Sequence, residues 1–338
     1  MDLTLTPACA GPADAARVAA LPPLRVEYST LTAPALLAQR DTLAVIGFDR
    51  DGPADARYTR VALQPAVETA ALEVWREQGP IETGIDGALR FSRGSHYAFV
   101  VVEMHEAQFD HDITAATQAA YALLAQWCAR SAMPHLLRVW NYVDAINRGA
   151  GDEERYRQFC AGRAAGMDAA LTRGYPAASA IGVRDGRRVL QVCALAASAP
   201  GLAVENPRQV SAWRYPRQYG PVAPGFVRAM HAPTTSPQLY ISGTAAVVGH
   251  ASHHAGDVSA QVEETLNNLD SLCRAAGNAA PLGGARDVLR AYVRHASDAA
   301  LVRERLIARL GAQTPLLVLL GDVCRSELLV EIDGLHQG

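Results

Sequence analysis

Chemistry in this chain is concentrated in a few residues whose settings are unusual for their type. Glu331 sits inside Leu328-Leu329-Val330-Glu331-Ile332, the most apolar surroundings of any carboxylate in the sequence. A carboxyl group withdrawn from water keeps its proton to higher pH, and a carboxyl protonated near neutrality is a general acid. The competing reading is a strand-edge glutamate facing water, because a period of two puts Leu329 and Glu331 on one face and Val330 on the other. Arg163 falls on an apolar stripe of helical spacing, Tyr156, Phe159, Cys160, Arg163 and Met167. A buried cation is costly unless paired, so Arg163 calls either for an internal salt bridge or for a bound carboxylate. Arg155, one turn from the start of the same helix, reaches a cleft or solvent.

Three further features belong with these. Trp213-Arg214-Tyr215-Pro216-Arg217-Gln218-Tyr219-Gly220-Pro221 places two arginines and three aromatics on a proline-stiffened loop. That combination suits a flat ring with polar, anionic edges, or plain packing on a core. Gly243 follows a strand, where glycine marks either a bulge or the close approach of a ligand. Cys324 precedes Glu331 by seven residues, so the two lie on opposite faces of a straight strand. They share a cleft only if Arg325-Ser326-Glu327 turns the chain; otherwise Cys324 is a core thiol.

Other chemistries are poorly supported. His250, His253 and His254 have only Asp257 nearby as a further ligand, and His105, Asp110, His111 and Asp112 read as a polar loop after a strand. Neither group makes a recognisable metal site. No glycine-rich dinucleotide turn, phosphate loop or nucleophile elbow occurs, so no metal or organic cofactor is expected. The net charge of −3 over 338 residues argues against a nucleic-acid partner. Cysteines at 9, 128, 160, 193, 273 and 324 form no CxxC pair. They read as free thiols, and with acidic Asp2 in place of a basic leader segment a cytoplasmic location is expected. No apolar run approaches the ~20 residues needed to span a bilayer, and Leu316–Leu320 with its flanks is strand-sized, so no membrane span is expected.

The elements that must position these residues follow from periodicity. Residues 1–23 read as irregular. Leu24–Tyr28, Leu43–Phe48, Tyr97–Met104, Leu136–Val143, Gln238–Val248 and Asp287–His295 read as strands, and Thr114–Arg130, Asp257–Ala276 and Ala300–Leu310 as helices. Asp152 is placed as the N-cap of a helix from Glu153 to Arg173. A helix, loop, strand and second helix occur twice in the same order, and Leu137-Arg138 is echoed by Leu289-Arg290. The expected architecture is α+β, in two units spanning 1–175 and 176–338, each a mixed sheet backed by helices.

Three stretches of the second half resemble the Rid/YjgF-like domain, whose fold is of the chorismate-mutase-like kind. These are Leu239-Tyr240-Ile241-Ser242-Gly243-Thr244-Ala245, the helix Gln261–Leu269 with Gly277, and Leu329-Val330-Glu331-Ile332-Asp333. The resemblance implies units with ligand clefts between them. Rid deaminases carry an arginine on the penultimate strand; here no arginine lies between Arg309 and Arg325, and Leu316 and Leu317 occupy that strand.

A more specific resemblance spans residues 135–334. Five blocks, Arg138–Val143, Arg155-Tyr156-x-x-Phe159-Cys160-x-x-Arg163, Ser211–Pro221, Ile241–Ala245 with Gly249-His250, and Cys324-Arg325-Ser326-x-Leu328–Glu331, are similar in order and content to the chorismatases. The first 90 residues match poorly. The resemblance implies release of pyruvate from the enolpyruvyl ether of chorismate by a cytoplasmic enzyme, monomeric or a small homo-oligomer. It implies Glu331 as general acid, and Arg155, Arg163, Tyr215, Arg217, Tyr219, Gly243 and Tyr142 as substrate contacts. Cys324 with Gly243 resembles the subclass forming 3-hydroxybenzoate, with 4-hydroxybenzoate as a possible co-product. The alternatives are hydrolysis to a dihydroxycyclohexadiene carboxylate, enamine or imine deamination, and ligand binding without turnover.

Overall fold

The computed structural model describes residues 20–67, 69, 71–167, 174–278 and 280–337. The irregular start expected over 1–23 lies almost wholly outside them. The described chain opens with β1 (Arg25–Ser29), a short helix α1 (Ala33–Leu37), β2 (Thr42–Phe48), β3 (Tyr58–Val61), β4 (Gln64–Pro65) and β5 (Leu72–Arg76). A first α/β unit follows: β6 (Glu82–Asp86), β7 (Leu89–Arg93), β8 (Tyr97–His105), α2 (Ile113–Arg130), β9 (His135–Asp144), α3 (Arg155–Gly166), β10 (Ala177–Val183) and β11 (Val189–Ala197). The second unit holds β12 (Leu202–Val204), β13 (Ala229–His231), β14 (Leu239–Ala245), a hairpin of β15 (Val247–Val248) and β16 (Ala251–Ser252), α4 (Val258–Ala275), β17 (Val288–Val293), α5 (Ala299–Leu310), β18 (Leu316–Leu320), β19 (Asp322–Val323) and β20 (Val330–His336).

The expected α+β architecture of two mixed sheets, each backed by two helices, is the one observed. In the first sheet β8, β11, β9 and β10 lie side by side; in the second β14, β20, β17 and β18 do. In both, the first two pairings are antiparallel and the last is parallel. The N-terminal strands repeat this arrangement a third time as β1-β5-β2-β3. Edges are shared: β19 of the second unit extends the first sheet beside β10, and β4 extends the second beside β18.

Local sequence explains the helices. Asp112 caps α2 by accepting from the Thr114 amide at 2.7 Å, and Asp257 caps α4 through the Ala260 amide at 3.0 Å. Tyr121, Leu124 and Cys128 of α2, and Val262, Leu266, Leu269 and Cys273 of α4, are buried against their sheets.

Three expectations need correction. The helix placed at Glu153 begins at Arg155, because Gly151–Glu153 forms a tighter 3-10 turn and the Asp152 carboxylate is taken by Arg217 at 2.9 Å. That helix ends at Gly166, and residues 168–173 of its expected span lie outside the described residues. The division at residue 175 falls inside the first sheet, since β10 and β11 pair with β9 and β8. The segment over Gln238–Val248 breaks after Ala245, where the chain turns into the β15–β16 hairpin.

The three sheets turn their inner faces toward one another. Trp75 of β5 contacts Trp140 of β9 with centroids 5.7 Å apart, and Tyr240 of β14 at 6.1 Å. Two arginines are enclosed in this seam. Arg290 of β17 donates Nε to Glu73 of β5 at 2.7 Å, pairs with it again through Nη2, and lies over the Trp140 ring at 4.9 Å. Arg138 of β9 pairs with Asp333 of β20 at 2.6 Å, both fully buried. Strands β1, β5, β2 and β3 thus supply the third wall of the interior. Breaking a buried pair from one side leaves an uncompensated charge. Glu73→Ala is therefore expected to cost about 3–5 kcal/mol in urea unfolding, and the double variant Glu73→Leu/Arg290→Met to recover most of that loss.

Candidate active site

Glu331 lies on β20 opposite Ala245 of β14 and Tyr292 of β17. Alternation along the strand sends Val330 and Ile332 into the core beneath α4 and α5, and turns Glu331 and Asp333 toward the first unit. The solvent-facing alternative is thereby excluded: Glu331 is only 4% exposed. Burial, followed by the neighbouring Asp333 charge, pushes its carboxyl up to about 8, against the pull of Arg138 and Arg228.

Gly243 makes room for that carboxyl. The β14–β20 register slips between Ile241 and Thr244, so a bulge is present, and a Cβ placed on Gly243 would overlap Glu331 Oε1. The bulge reading of this glycine therefore holds, and the group that approaches it closely is the Glu331 side chain. The turn needed to bring Cys324 alongside also forms, closed by the Leu328 amide donating to the Arg325 carbonyl at 3.1 Å. Burial, then the Glu331 charge, pushes the Cys324 thiol up to about 12, so it is a neutral wall of the site. Tyr156 lines the same recess as this thiol and that of Cys160.

These groups face a cavity of about 340 Å³, within the range of small-molecule sites. Tyr215 and Tyr219, brought in by two 3-10 turns, stand with ring centroids 5.5 Å apart. Arg325 lies 3.9 Å over the Tyr219 ring and donates Nη1 to the His250 carbonyl at 2.8 Å. Arg228 lies 5.1 Å over Phe226 and donates Nη2 to the Tyr215 hydroxyl at 2.6 Å. A narrow recess runs inward from the cavity past Glu331, Gly243 and Ser179 to Arg163 on α3. Arg163 is 4% exposed and stacks 5.1 Å over Tyr121, yet its Nε and Nη2 have no hydrogen-bond partner. A buried guanidinium edge without an acceptor is the arrangement a ligand carboxylate completes.

Among the described residues, no three His, Cys, Asp or Glu side chains converge as metal ligands do. His250 Nδ1 instead contacts the Tyr219 hydroxyl at 3.2 Å, and His254 contacts Glu264 at 3.3 Å. No described helix is long and apolar enough to cross a membrane.

A family model for the N-terminal part of FkbO/Hyg5-like chorismatases matches residues 73–196, the stretch that builds β6–β11. A chorismatase from Streptomyces hygroscopicus is 36% identical over 283 residues, 79% of this chain and 80% of the relative. A 3-hydroxybenzoate synthase from the same species is 34% identical over 297 residues, 83% of this chain and 86% of the relative. The crystal structure of a chorismatase superposes with a TM-score of 0.80 at 31% identity, over 93% of this chain and 98% of that one. The chain belongs to the chorismatase family.

Of the residues that chorismatase resemblance singled out, Glu331, Cys324, Gly243, Tyr215 and Tyr219 line the cavity, and Arg163 ends its recess. Three stand elsewhere. Arg155 is clamped by Glu106 at 3.0 and 2.5 Å and by the Asp144 carbonyl, at the opposite end of β9 from Arg138. Tyr142 faces the three-sheet interior and accepts from Arg290 at 3.3 Å. Arg217 is exposed and held to Asp152, outside the cavity lining. Arg228, Arg325, Tyr156 and Ser179 were not singled out. Arg228 carried the signal that revealed Glu331, a charge inside an apolar run, Gly225-Phe226-Val227-Arg228-Ala229-Met230.

The Glu331 carboxyl has a stability consequence of definite sign. Its folded value is raised above the usual 4.5, so the folded state binds the extra proton. Its favourable contribution is complete below about 4.5 and is lost as pH rises to about 8, at roughly 1.4 kcal/mol per pH unit. Glu331→Gln, which never ionises, is expected to gain stability over the parent progressively between pH 5 and pH 8. Thermal midpoints measured across that range check this.

Proposed function

We propose that this chain converts chorismate to 3-hydroxybenzoate and pyruvate, with Glu331 as the general acid. The observation that carries this reading is a carboxyl held protonated to about pH 8, overlapping the space above Gly243, in a cavity edged by unsaturated arginine donors. Relatives named chorismatase and 3-hydroxybenzoate synthase support the substrate and product class.

Chorismate carries two carboxylates and an enolpyruvyl ether. Arg163, at the end of the recess, takes one carboxylate; Arg228 and Arg325, stacked on Phe226, Tyr215 and Tyr219, take the other and flank the ring. Glu331 delivers its proton to the methylene carbon of the enol ether. The ether carbon–oxygen bond then breaks, with its electron pair leaving on pyruvate. The neighbouring ring hydroxyl oxygen bonds the vacated ring carbon and returns its proton to Glu331. The strained product opens to the aromatic acid, and no water is consumed. Cys324, neutral and beside Tyr156, fills space that a hydrolytic water would need. General acid catalysis contributes about 10²–10⁴-fold, so Glu331→Gln should release no measurable pyruvate while still binding chorismate.

Product analysis by mass and retention after incubation with chorismate tests the assignment. Aromatic 3-hydroxybenzoate with equimolar pyruvate is expected; the dihydroxy acid alone, ammonia release from an imine substrate, or intact chorismate would each replace it with one of the rival readings. Cys324→Val and Gly243→Ala should raise the share of the hydrolysed acid, since a reacting group displaced by about 1 Å costs roughly 10²-fold. The alanine methyl must also push the Glu331 carboxyl aside, so Gly243→Ala should slow pyruvate release as well. Equal product ratios in parent, single and double variants would remove both residues from steering.

Arg163→Met should separate binding from folding. Removing a buried cation whose Nε and Nη2 lack acceptors leaves the thermal midpoint unchanged or higher, whereas the KM for chorismate should rise at least tenfold. Loss of the fold with normal residual binding would reassign Arg163 to the framework.

A further inference from the structure

The mechanism leaves one buried charge unused. Asp333 lies two residues from Glu331 on β20, on the same face, and is fully buried. Three donors from two other strands and its own sheet converge on a single oxygen. Oδ2 accepts from Arg138 Nη2 at 2.6 Å, from Ser179 Oγ at 2.6 Å and from the Tyr292 hydroxyl at 3.1 Å, while Oδ1 has no partner. Arg138 is itself fixed, with Nη1 donating to the Val139 carbonyl at 3.0 Å and its guanidinium lying 4.8 Å over Trp140. Donors gathered on one oxygen stabilise an ionised carboxylate. Glu331, by contrast, receives no side-chain or backbone donor of this kind among the described hydrogen bonds, and Ser179 Oγ stands beside the Gly243 space that its Oε1 enters.

The groups facing this pair are few. Arg138 and Ser179 approach from the first sheet, Arg163 from α3 and Arg228 from the loop before β13. Tyr292 approaches from β17, and Cys324 from the turn before β20. Arg290 is committed to Glu73 and is not free to neutralise either acid. Two acids therefore share one strand face, and the cation that touches either directly is bonded to Asp333.

We propose that Asp333 is the positioning residue of the catalytic acid: a clamped buried anion whose charge returns and keeps the proton on Glu331. The proposal rests on the reading of Glu331 as general acid. When Glu331 gives its proton to the methylene carbon, two carboxylates stand on one face of β20. Their repulsion favours recapture of the ring hydroxyl proton as that oxygen forms its new bond to carbon, so the acid is restored within the same turnover. Burial of Glu331 and the Asp333 charge act in the same direction on its carboxyl.

The test is the pH dependence of kcat and kcat/KM for the parent, Asp333→Asn, the double variant Asp333→Asn/Arg138→Met, and Glu331→Gln. The parent should lose activity as pH rises through about 8. Asp333→Asn removes the repulsion and frees Arg138 to attract the Glu331 charge. Its alkaline limb should move down by at least one pH unit, giving about tenfold less activity at pH 8 and recovery toward acid pH. The double variant leaves neither member of this pair as a lone buried ion, so it is the form expected to fold if the single variant does not. Its limb should lie between those of the parent and the single variant. A limb that coincides with the parent's in whichever variants fold, with activity merely scaled, would reduce Asp333 to a structural ion-pair partner. Glu331→Gln separates the two failures: if it turns over, the acid assignment falls and this inference with it, whereas a dead Glu331→Gln beside an unmoved limb overturns the inference alone.

Discussion

The contact between Arg138 and Asp333 joins the two halves of this molecule beside the recess that holds Glu331. Both side chains are withdrawn from water, an arrangement that is seldom favourable by itself: desolvating two ions costs about as much as their attraction returns unless further hydrogen bonds complete the site. Here they do so in part: Ser179, Tyr292 and the Val139 carbonyl bond to the pair from two sheets, while Arg138 Nε and Asp333 Oδ1 stay without partners. The pairing fixes how the first unit's β9 and β10 register on the second unit's β20, and that register decides which residues meet Glu331. Packing of Trp75, Trp140 and Tyr240 supplies the bulk of the seam, but apolar contacts alone would tolerate small slips that a directional ion pair does not.

Placed beside that anion, Glu331 is a deliberate source of instability. A leucine at this site would bury area without a titration penalty, and Gly243 forgoes a side chain so that the carboxyl has somewhere to lie. Arg163 adds a second unmet demand, with two nitrogens lacking acceptors inside a recess. Such sites are retained where binding or catalysis meets the demand. The same tension explains the surrounding stiffness. Arg325 is tied to the His250 carbonyl and Arg228 to the Tyr215 hydroxyl, so the arginines around Glu331 are preorganised.

What could be read from the sequence was local, and what could not was long-range. The strand around Glu331, its apolar setting and the turn after Cys324 are properties of ten consecutive residues. Helical periodicity over α2, α4 and α5 was legible in the same local way, whereas the Asp152 cap was not, because Arg217 claims its carboxylate from 65 residues away. Asp333 was visible only as the end of a closing strand, because its partner lies 195 residues away. Arg155 failed as a site residue for the same reason: its helical phase was legible, but Glu106, which claims it from the 3-10 turn after β8, was not. Tyr142 lies on the interior face with Arg138 and Trp140 by strict alternation, a phase that could be assigned only once β9 was known to be central and covered on both sides. The N-terminal sheet escaped notice because its helix is a single turn, leaving none of the helical periodicity that marks the other two units.

Repetition of one strand order three times raises the question of why a single seam is reactive. Registers give the answer. Arg290 of β17 stands opposite Asp333, and Tyr292 opposite Glu331. In the first unit the echoing Arg138 of β9 stands opposite Leu195, and Trp140 opposite Cys193. The positions that hold the two acids in the second sheet therefore hold an apolar side chain and a buried thiol in the first, and Val101 and Phe99 close over them. Each arginine then has no acid across its own strand pair that it can use freely, and must look to another sheet: Arg138 reaches Asp333, and Arg290 reaches Glu73. The ion pairs that weld the sheets together are thus a consequence of the divergence between repeats. They commit the two seam arginines to Asp333 and Glu73, and among the described ion pairs none holds Glu331, so burial pushes its carboxyl up.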